Sequence, residues 1–151
     1  MEAANIKEEL LLHCQNYVSS RRKRLMYQII DIQKALESET KSSAGDKHET
    51  GRAMLHIERE KLGVQLAEVQ KLDLILSKIS LTPASLVKLG SLVYTDKGLY
   101  FLSISVGKID IKGISCFAIA ANSPIGKLLL GKKNKDTIQF NGNTIVIENI
   151  L

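Results

Sequence analysis

The chain has 151 residues, of which 44% are hydrophobic and 25% charged, with two prolines and a net charge of +5. This composition excludes a disordered chain, and no apolar run approaches the ~20 residues that a membrane span needs. The N-terminus lacks the basic-then-apolar pattern of a signal peptide, and Cys14 and Cys116 form no CxxC motif, so we expect two free thiols and a cytoplasmic protein.

The first predicted element is a long helix from Asn5 to about Thr40. Asn5 followed by Glu8 is typical of an N-cap with its capping-box partner, and no Gly or Pro interrupts the stretch. A spacing of alternately four and three residues predicts a coiled-coil seam with one basic intrusion: Val18, Arg22, Leu25, Ile29, Ile32 and Leu36.

A second helix is predicted from about Asp46 to Ile79, because an apolar stripe of compatible spacing runs through it: Leu55, Leu62, Leu66, Val69, Leu72, Leu76 and Ile79. The segment from Ser42 to Gly45 is long enough only for a reversal of the chain. We therefore expect an antiparallel coiled-coil hairpin over residues 1–80, on the order of 50 Å long at ~1.5 Å per residue.

Thr82-Pro83 ends the helical pattern, and beyond it the apolar period changes to two. Strands are predicted in SLVYTDKGLYFLSISV, which turns at Asp96-Lys97-Gly98, in ISCFAIAA, and in DTIQFNGNTIVIENI, which turns at Asn141-Gly142. Residues 81–151 are thus expected to form a small antiparallel β domain, which makes the fold class α+β.

One short helix is predicted inside this β domain, in SPIGKLLLGK. Ser123 can be its N-cap, Pro124 its first helical residue, and Gly131 its end.

Two carboxylates, Asp46 and Glu49, stand three residues apart where the second helix begins. They can form an Asp version of the capping box. They can also share a hard cation such as Mg²⁺, although two ligands cannot hold that ion alone. The two interpretations are compatible, because a capping carboxylate keeps free lone pairs.

A block of four basic residues, Arg21 to Arg24, lies partway along the first helix. Four consecutive positions cover the whole circumference, so Arg22 points into the seam or the seam loosens there. The block is either solvated charge whose aliphatic stems cover the neighbouring helix, or a phosphate-binding patch. The C-terminal part is also basic, since residues 81–151 carry 8 Lys and Arg against 4 Asp and Glu.

The remaining reactive residue types form no recognisable site. His13, His48 and His56 share no metal-ligand spacing with one another or with either cysteine. Both cysteines are interpreted as small core residues, and the sequence has no P-loop and no GxGxxG.

Taken together, a coiled-coil hairpin with Gly45-Asp46-x-x-Glu49 at its turn and a small β domain containing NSPIGKLLLGKKNKD resembles the Gre-type transcript cleavage factors of bacterial RNA polymerase. The resemblance covers nearly the whole chain and is strongest at the Gly-Asp-x-x-Glu turn and at Asn122 to Gly126. It implies an FKBP-like C-terminal domain.

The resemblance implies a transcription elongation factor without a catalytic centre of its own. Its hairpin would enter the secondary channel of the polymerase, where Asp46 and Glu49 would help hold a Mg²⁺ ion for cleavage of the RNA 3′ end in a backtracked complex. Arg21, Arg22, Lys23 and Arg24 would face RNA, and Asn122, Ser123 and Pro124 would dock on the polymerase. No cofactor is expected on the chain alone, and we expect a monomer that does not bind membranes.

The turn departs from the family pattern, which usually continues Asp-Leu-Ser-Glu-Asn-Ala-Glu-Tyr. Here the residues from Asp46 to Ala53 read DKHETGRA, so both acids remain while Lys47 and Arg52 dilute the negative potential. Leu128 also stands where a small residue is usual. A second hypothesis is therefore a regulator that occupies the channel without stimulating cleavage.

Overall fold

The computed structural model describes residues 3–41 and 46–151, and it describes side chains within 4–39 and 49–151. Two long helices precede six strands and one short helix. Their bounds are α1 Ala3–Lys41, α2 Asp46–Ser77, β1 Leu92–Thr95, β2 Gly98–Ser103, β3 Gly107–Ile111, β4 Ile114–Ala120, α3 Pro124–Leu129, β5 Thr137–Phe140 and β6 Asn143–Ile150. The chain is therefore α+β, as predicted.

The chain divides into two compact units. The hairpin unit comprises Val18–Leu72, and the sheet unit comprises Met1–Tyr17 together with Asp73–Leu151. The first turns of α1 thus belong to the same unit as the strands. None of the helices in the described ranges is long and apolar enough to cross a membrane.

The hairpin unit is held by the predicted aliphatic seam. Its residues on α1 are buried at the expected spacing (Val18, Leu25, Ile29, Ile32 and Leu36), and Leu62 and Val69 are buried on α2. Arg22 is half-buried, in agreement with its predicted place in the seam. The predicted reversal from Ser42 to Gly45 lies outside the described residues.

The predicted N-cap at Asn5 is wrong. The first helix already includes Ala3, so Asn5 lies inside it. Alanine has the highest intrinsic helix propensity, and Ala3 and Ala4 extend the helix by two residues.

The predicted antiparallel sheet is also wrong, because the six strands form a mixed sheet in the order β3-β4-β2-β1-β6-β5. The predicted strands are all present, but β3 was not predicted. It pairs antiparallel with β4 at the edge of the sheet, which places β4 beside β2 in parallel register, with Leu99 opposite Cys116. Lys112 and Gly113 make the tight β3–β4 turn with φ values of 49° and 83°.

The centre of the sheet is buried on both faces, since the neighbouring residues Phe101 and Leu102 on β2 are both fully buried. A core cluster joins α3 to four of the strands, β1, β2, β5 and β6: Val87, Val93, Leu102, Ile125, Leu129, Ile138, Ile145, Ile147 and Ile150. On α1, Cys14 is fully buried and its Sγ lies 3.6 Å from Oγ of Ser103, the last residue of β2. The first turns of α1 therefore supply part of the core of the sheet unit.

Lys7 is a charged residue inside the sheet unit. Only 2% of its surface is exposed, and its Nζ donates a 2.9 Å hydrogen bond to the carbonyl oxygen of Leu81. Burial lowers the pKa of Lys7, and the positive charge of Lys88 lowers it further. The segment that follows α2 is thus tied to α1 by a buried cation.

The buried thiol of Cys116 makes the stability of the sheet unit sensitive to alkaline pH. Burial raises the pKa of Cys116 from 9.0 to about 12, against a smaller opposing effect of a backbone hydrogen bond from Phe101. A group whose pKa is higher in the folded state than in the unfolded state stabilises the fold. This stabilisation is complete below the pKa of the unfolded state and is lost as the pH rises towards the pKa of the folded state.

Between pH 9 and pH 12 the parent chain should therefore lose up to about 4 kcal/mol relative to Cys116→Ala, at 1.36 kcal/mol per pKa unit. Urea unfolding under reducing conditions at a series of pH values measures this difference. Ser115→Ala, an exposed substitution on the same strand, is the matched control and should keep the parent's pH dependence. Parallel pH curves for the parent and Cys116→Ala would contradict the prediction.

Candidate functional site

The carboxylate pair lies at the start of α2. Asp46 is the first residue of the helix, but its side chain, and with it the predicted capping contact, lies outside the described residues. Glu49 is in the first turn of α2 and is exposed, so its carboxylate is accessible to a partner. Both residues follow a connection of four residues from the end of a 39-residue helix.

A cross-helix contact lies one turn behind this pair. Arg52 extends from α2 to α1, where its Nη1 donates a 3.3 Å hydrogen bond to the carbonyl oxygen of Leu36. Next to it, a Cβ atom on Gly51 would lie 3.9 Å from the side-chain carboxylate of Glu39 on α1. The guanidinium of Arg52, which the sequence suggested would dilute the charge of the acids, is directed to the backbone of α1.

The basic block is only partly available to a ligand. Arg21 and Arg22 are half-buried, whereas Lys23 and Arg24 are exposed. Tyr27 lies one turn beyond Lys23 on the same side of α1, and 68% of its surface is exposed. Lysine and arginine can contact phosphates and an exposed tyrosine ring can stack on a base, so this face of α1 has the side chains of a single-stranded nucleic-acid surface.

The basic block and the acids are not brought together. Arg24 lies 17 residues before the end of α1 at Lys41, roughly 25 Å along the helix at ~1.5 Å per residue. A ligand that contacts both groups of residues must therefore be extended along the hairpin.

If each side chain of the block from Arg21 to Arg24 contacts a phosphate, the affinity of the chain for an elongation complex that holds extruded RNA should weaken steeply with salt. Replacing Arg21 and Arg24 by Gln should then flatten the dependence of log K on log salt concentration by up to about 0.7 for each lost contact with single-stranded RNA. Binding measured between 50 and 300 mM salt tests this, with the exposed pair Lys61→Gln and Lys71→Gln on α2 as a charge-matched control. An unchanged slope would return the block to the solvated-surface interpretation.

The segment before α3 has the predicted cap. Ser123 has extended backbone angles (φ −70°, ψ 160°), and its Oγ accepts a 3.1 Å hydrogen bond from the N–H of Gly126 and donates a 2.6 Å bond to the carbonyl oxygen of Ala120. Pro124 is the first helical residue, as predicted. Ser123 therefore has a structural role, whereas its neighbours Asn122 and Pro124 are exposed and accessible to a partner.

The thiols are not placed for nucleophilic chemistry. Cys14 and Cys116 are both buried, and burial raises the pKa of each. Their thiolates are therefore disfavoured, and the interpretation of both as core residues is confirmed. Among side chains that the structure describes, no group of three or more His, Cys, Asp and Glu is placed to hold a metal ion.

Three residues of interest were not found by sequence reasoning. Arg52 was considered only for its charge, because its carbonyl partner on α1 is visible only in the folded hairpin. The sequence pattern could have pointed to Tyr27, because it is an aromatic residue four positions after Lys23 on the polar side of the predicted helix. Gly126 was noted only as the last residue of the Asn122–Gly126 motif, because its close approach to Ala120 is visible only in the folded sheet unit.

Comparisons of the chain with protein-family models, with curated proteins and with solved structures gave no match. Its function is therefore inferred from its own residues and from the resemblance described above.

Proposed function

We propose that this chain is a transcription elongation factor that inserts its hairpin into the secondary channel of bacterial RNA polymerase and stimulates Mg²⁺-dependent cleavage of backtracked RNA. The observation that carries the proposal is the position of Asp46 and Glu49 at the start of α2, immediately after the connection between two helices of 39 and 32 residues. An acidic pair at the end of a hairpin suits delivery of ligands to a site in another macromolecule.

The chemistry of the pair fits a shared cation. Mg²⁺ prefers oxygen ligands in octahedral geometry, and two carboxylates supply only part of that shell. Asp46 and Glu49 would complete the shell of an ion held by the polymerase, and this ion would stabilise the charge that develops at the cleaved phosphate. Glu49 is exposed, so its carboxylate is accessible to such an ion.

The sheet unit is proposed as the docking domain that corresponds to the FKBP-like domain of Gre-type factors. A sheet with one short helix packed on one face supports this assignment. The exposed residues Asn122 and Pro124 would contact the polymerase, while Ser123 would hold them in place through its cap. Since Met1–Tyr17 belong to the sheet unit, docking should be measured with the intact chain.

The test is to add the purified chain to a stalled, backtracked bacterial elongation complex and to follow the length of the RNA with and without Mg²⁺. The proposal expects Mg²⁺-dependent shortening of the RNA above the polymerase's intrinsic rate. Binding without shortening would favour the second hypothesis, a regulator that occupies the channel. That hypothesis is motivated by the departures at Lys47 and His48 and from Thr50 to Ala53. Absence of binding would overturn both.

A further inference from the structure

A surface pocket of about 260 Å³ lies in the sheet unit, away from the residues discussed so far. It is lined by Ala84, Ser85, Lys133, Asn134 and Ile150. Ile150 is buried and belongs to the core cluster, whereas Ser85, Lys133 and Asn134 are exposed. The pocket therefore combines an apolar part with three residues that carry hydrogen-bond donors.

The backbone around this pocket is fixed before any ligand binds. The segment that contains Ala84 and Ser85 continues into Val87, whose N–H donates a 2.8 Å hydrogen bond to the carbonyl oxygen of Lys132. The carbonyl oxygen of Val87 in turn accepts a 2.8 Å bond from the N–H of Gly131. These two bonds join the two chain segments that line the pocket.

The lysine-rich loop after α3 is also fixed by hydrogen bonds. The N–H of Lys133 donates a 2.9 Å hydrogen bond to the carboxylate of Asp136, and the N–H of Lys135 donates a 2.8 Å bond to the carbonyl oxygen of Ile147. Residues 133 and 134 are thus anchored on both sides, so little ordering of the backbone is required when a ligand binds.

The loop that lines one side of the pocket carries more positive than negative charge. Lys132, Lys133 and Lys135 lie within four residues of one another, and the nearest acid along the loop, Asp136, accepts a backbone hydrogen bond with one of its oxygens. A negatively charged ligand would therefore be attracted to this surface.

We propose that this pocket binds a small phosphate-bearing anion. Ser85 can donate a hydroxyl proton, Asn134 an amide proton and Lys133 an ammonium proton, and a phosphate group has several acceptor oxygens that can receive all three. The volume exceeds that of a phosphate group alone, so the apolar side chains of Ala84 and Ile150 would contact an organic group attached to it. A phosphate monoester is thus the class of ligand that matches the pocket.

The proposal can be tested by titrating the intact chain with inorganic phosphate and, separately, with a nucleoside 5′-monophosphate, while backbone amide shifts are followed by NMR. Potassium chloride at matched ionic strength serves as the blank. The proposal expects saturable shifts at Ser85, Lys133 and Asn134. Tighter binding of the monophosphate would identify an organic phosphate as the ligand class, and equal binding would identify the free anion.

Lys133→Gln should weaken the binding of phosphate by about tenfold or more, because hydrogen bonds to charged groups are among the stronger ones. Lys108→Gln is the matched control. Lys108 is an exposed lysine on β3, which is four strands from β6 in the sheet and so roughly 19 Å away at ~4.8 Å per strand.

Two results would overturn the proposal. If the backbone amide shifts change with potassium chloride as they do with phosphate, and do not saturate, only ionic strength acts on these residues. An equal loss of affinity in Lys133→Gln and Lys108→Gln would show that the overall positive charge of the chain attracts the anion. Because no polymerase is present in the experiment, its outcome is independent of the proposed function.

Discussion

Stimulated RNA cleavage should fall by about a hundredfold when Asp46 is replaced by asparagine, while the stability of the chain remains nearly unchanged. Asparagine caps a helix about as well as aspartate, but it lacks the charge that a hard cation requires. A hundredfold loss of rate corresponds to about 2.7 kcal/mol of transition-state stabilisation, which is plausible for the loss of one metal ligand. Rates of RNA shortening and urea unfolding of the same preparation measure the two quantities.

Glu49→Gln should behave in the same way, because glutamine also preserves a capping-box partner. The matched control is Glu60→Gln, which removes an exposed carboxylate 11 residues further along α2 and should cleave like the parent. Both variants at the pair should still compete with the parent for the polymerase, since the substitutions are nearly isosteric. If both variants cleave at the parent's rate, the acids serve only to start α2, and the channel-occupying regulator becomes the better hypothesis.

Gly126→Ala is expected to destabilise the sheet unit by about 3 kcal/mol. A Cβ atom at this position would overlap the carbonyl oxygen of Ala120 and lie 2.9 Å from Oγ of Ser123. Relieving the overlap means moving α3 away from the end of β4, which costs about 1–3 kcal/mol for overpacking, and weakening the Ser123 cap costs about 1 kcal/mol more. Urea unfolding at neutral pH measures the loss.

Gly63→Ala is the same chemical change, but it is expected to stabilise the chain. Gly63 lies inside α2, where a Cβ atom would be 3.7 Å from Nη1 of Arg59, an ordinary van der Waals distance. Alanine in a helix interior is favoured over glycine by about 1 kcal/mol, so this variant should be more stable than the parent. An unfolding free energy for Gly126→Ala within 0.5 kcal/mol of the parent would show that α3 shifts at little cost, contrary to the expectation.

Local signals were sufficient for much of the fold. The alternate spacing of Val18, Leu25, Ile29 and Leu36 predicted the buried seam, because helical periodicity depends only on neighbours three and four residues away. The turn at Asn141-Gly142 was predicted for a similar reason, and both residues have the positive φ angles that such a turn requires, 50° and 78°.

The error in the sheet had a specific cause. GKIDI has the apolar–polar alternation that is typical of a strand, but it is only five residues long, and β3 was missed. Without β3, every neighbouring pair of strands was expected to be antiparallel. The parallel pairing of β2 with β4 follows from the position of β3 at the edge of the sheet, which depends on contacts between residues distant in sequence.

The sequence by itself determined the α+β class, the helical seam, the cap of α3 by Ser123 and the presence of the acidic pair. Each of these depends on residues that are near one another along the chain. The tertiary structure decided which residues are accessible to a partner and which contact other residues of the chain. It directs Arg52 to the carbonyl of Leu36, buries Lys7 against Leu81 and places Ser85 beside Lys133, because contacts between residues 16 to 74 positions apart, or between separate loops, form only when the elements pack.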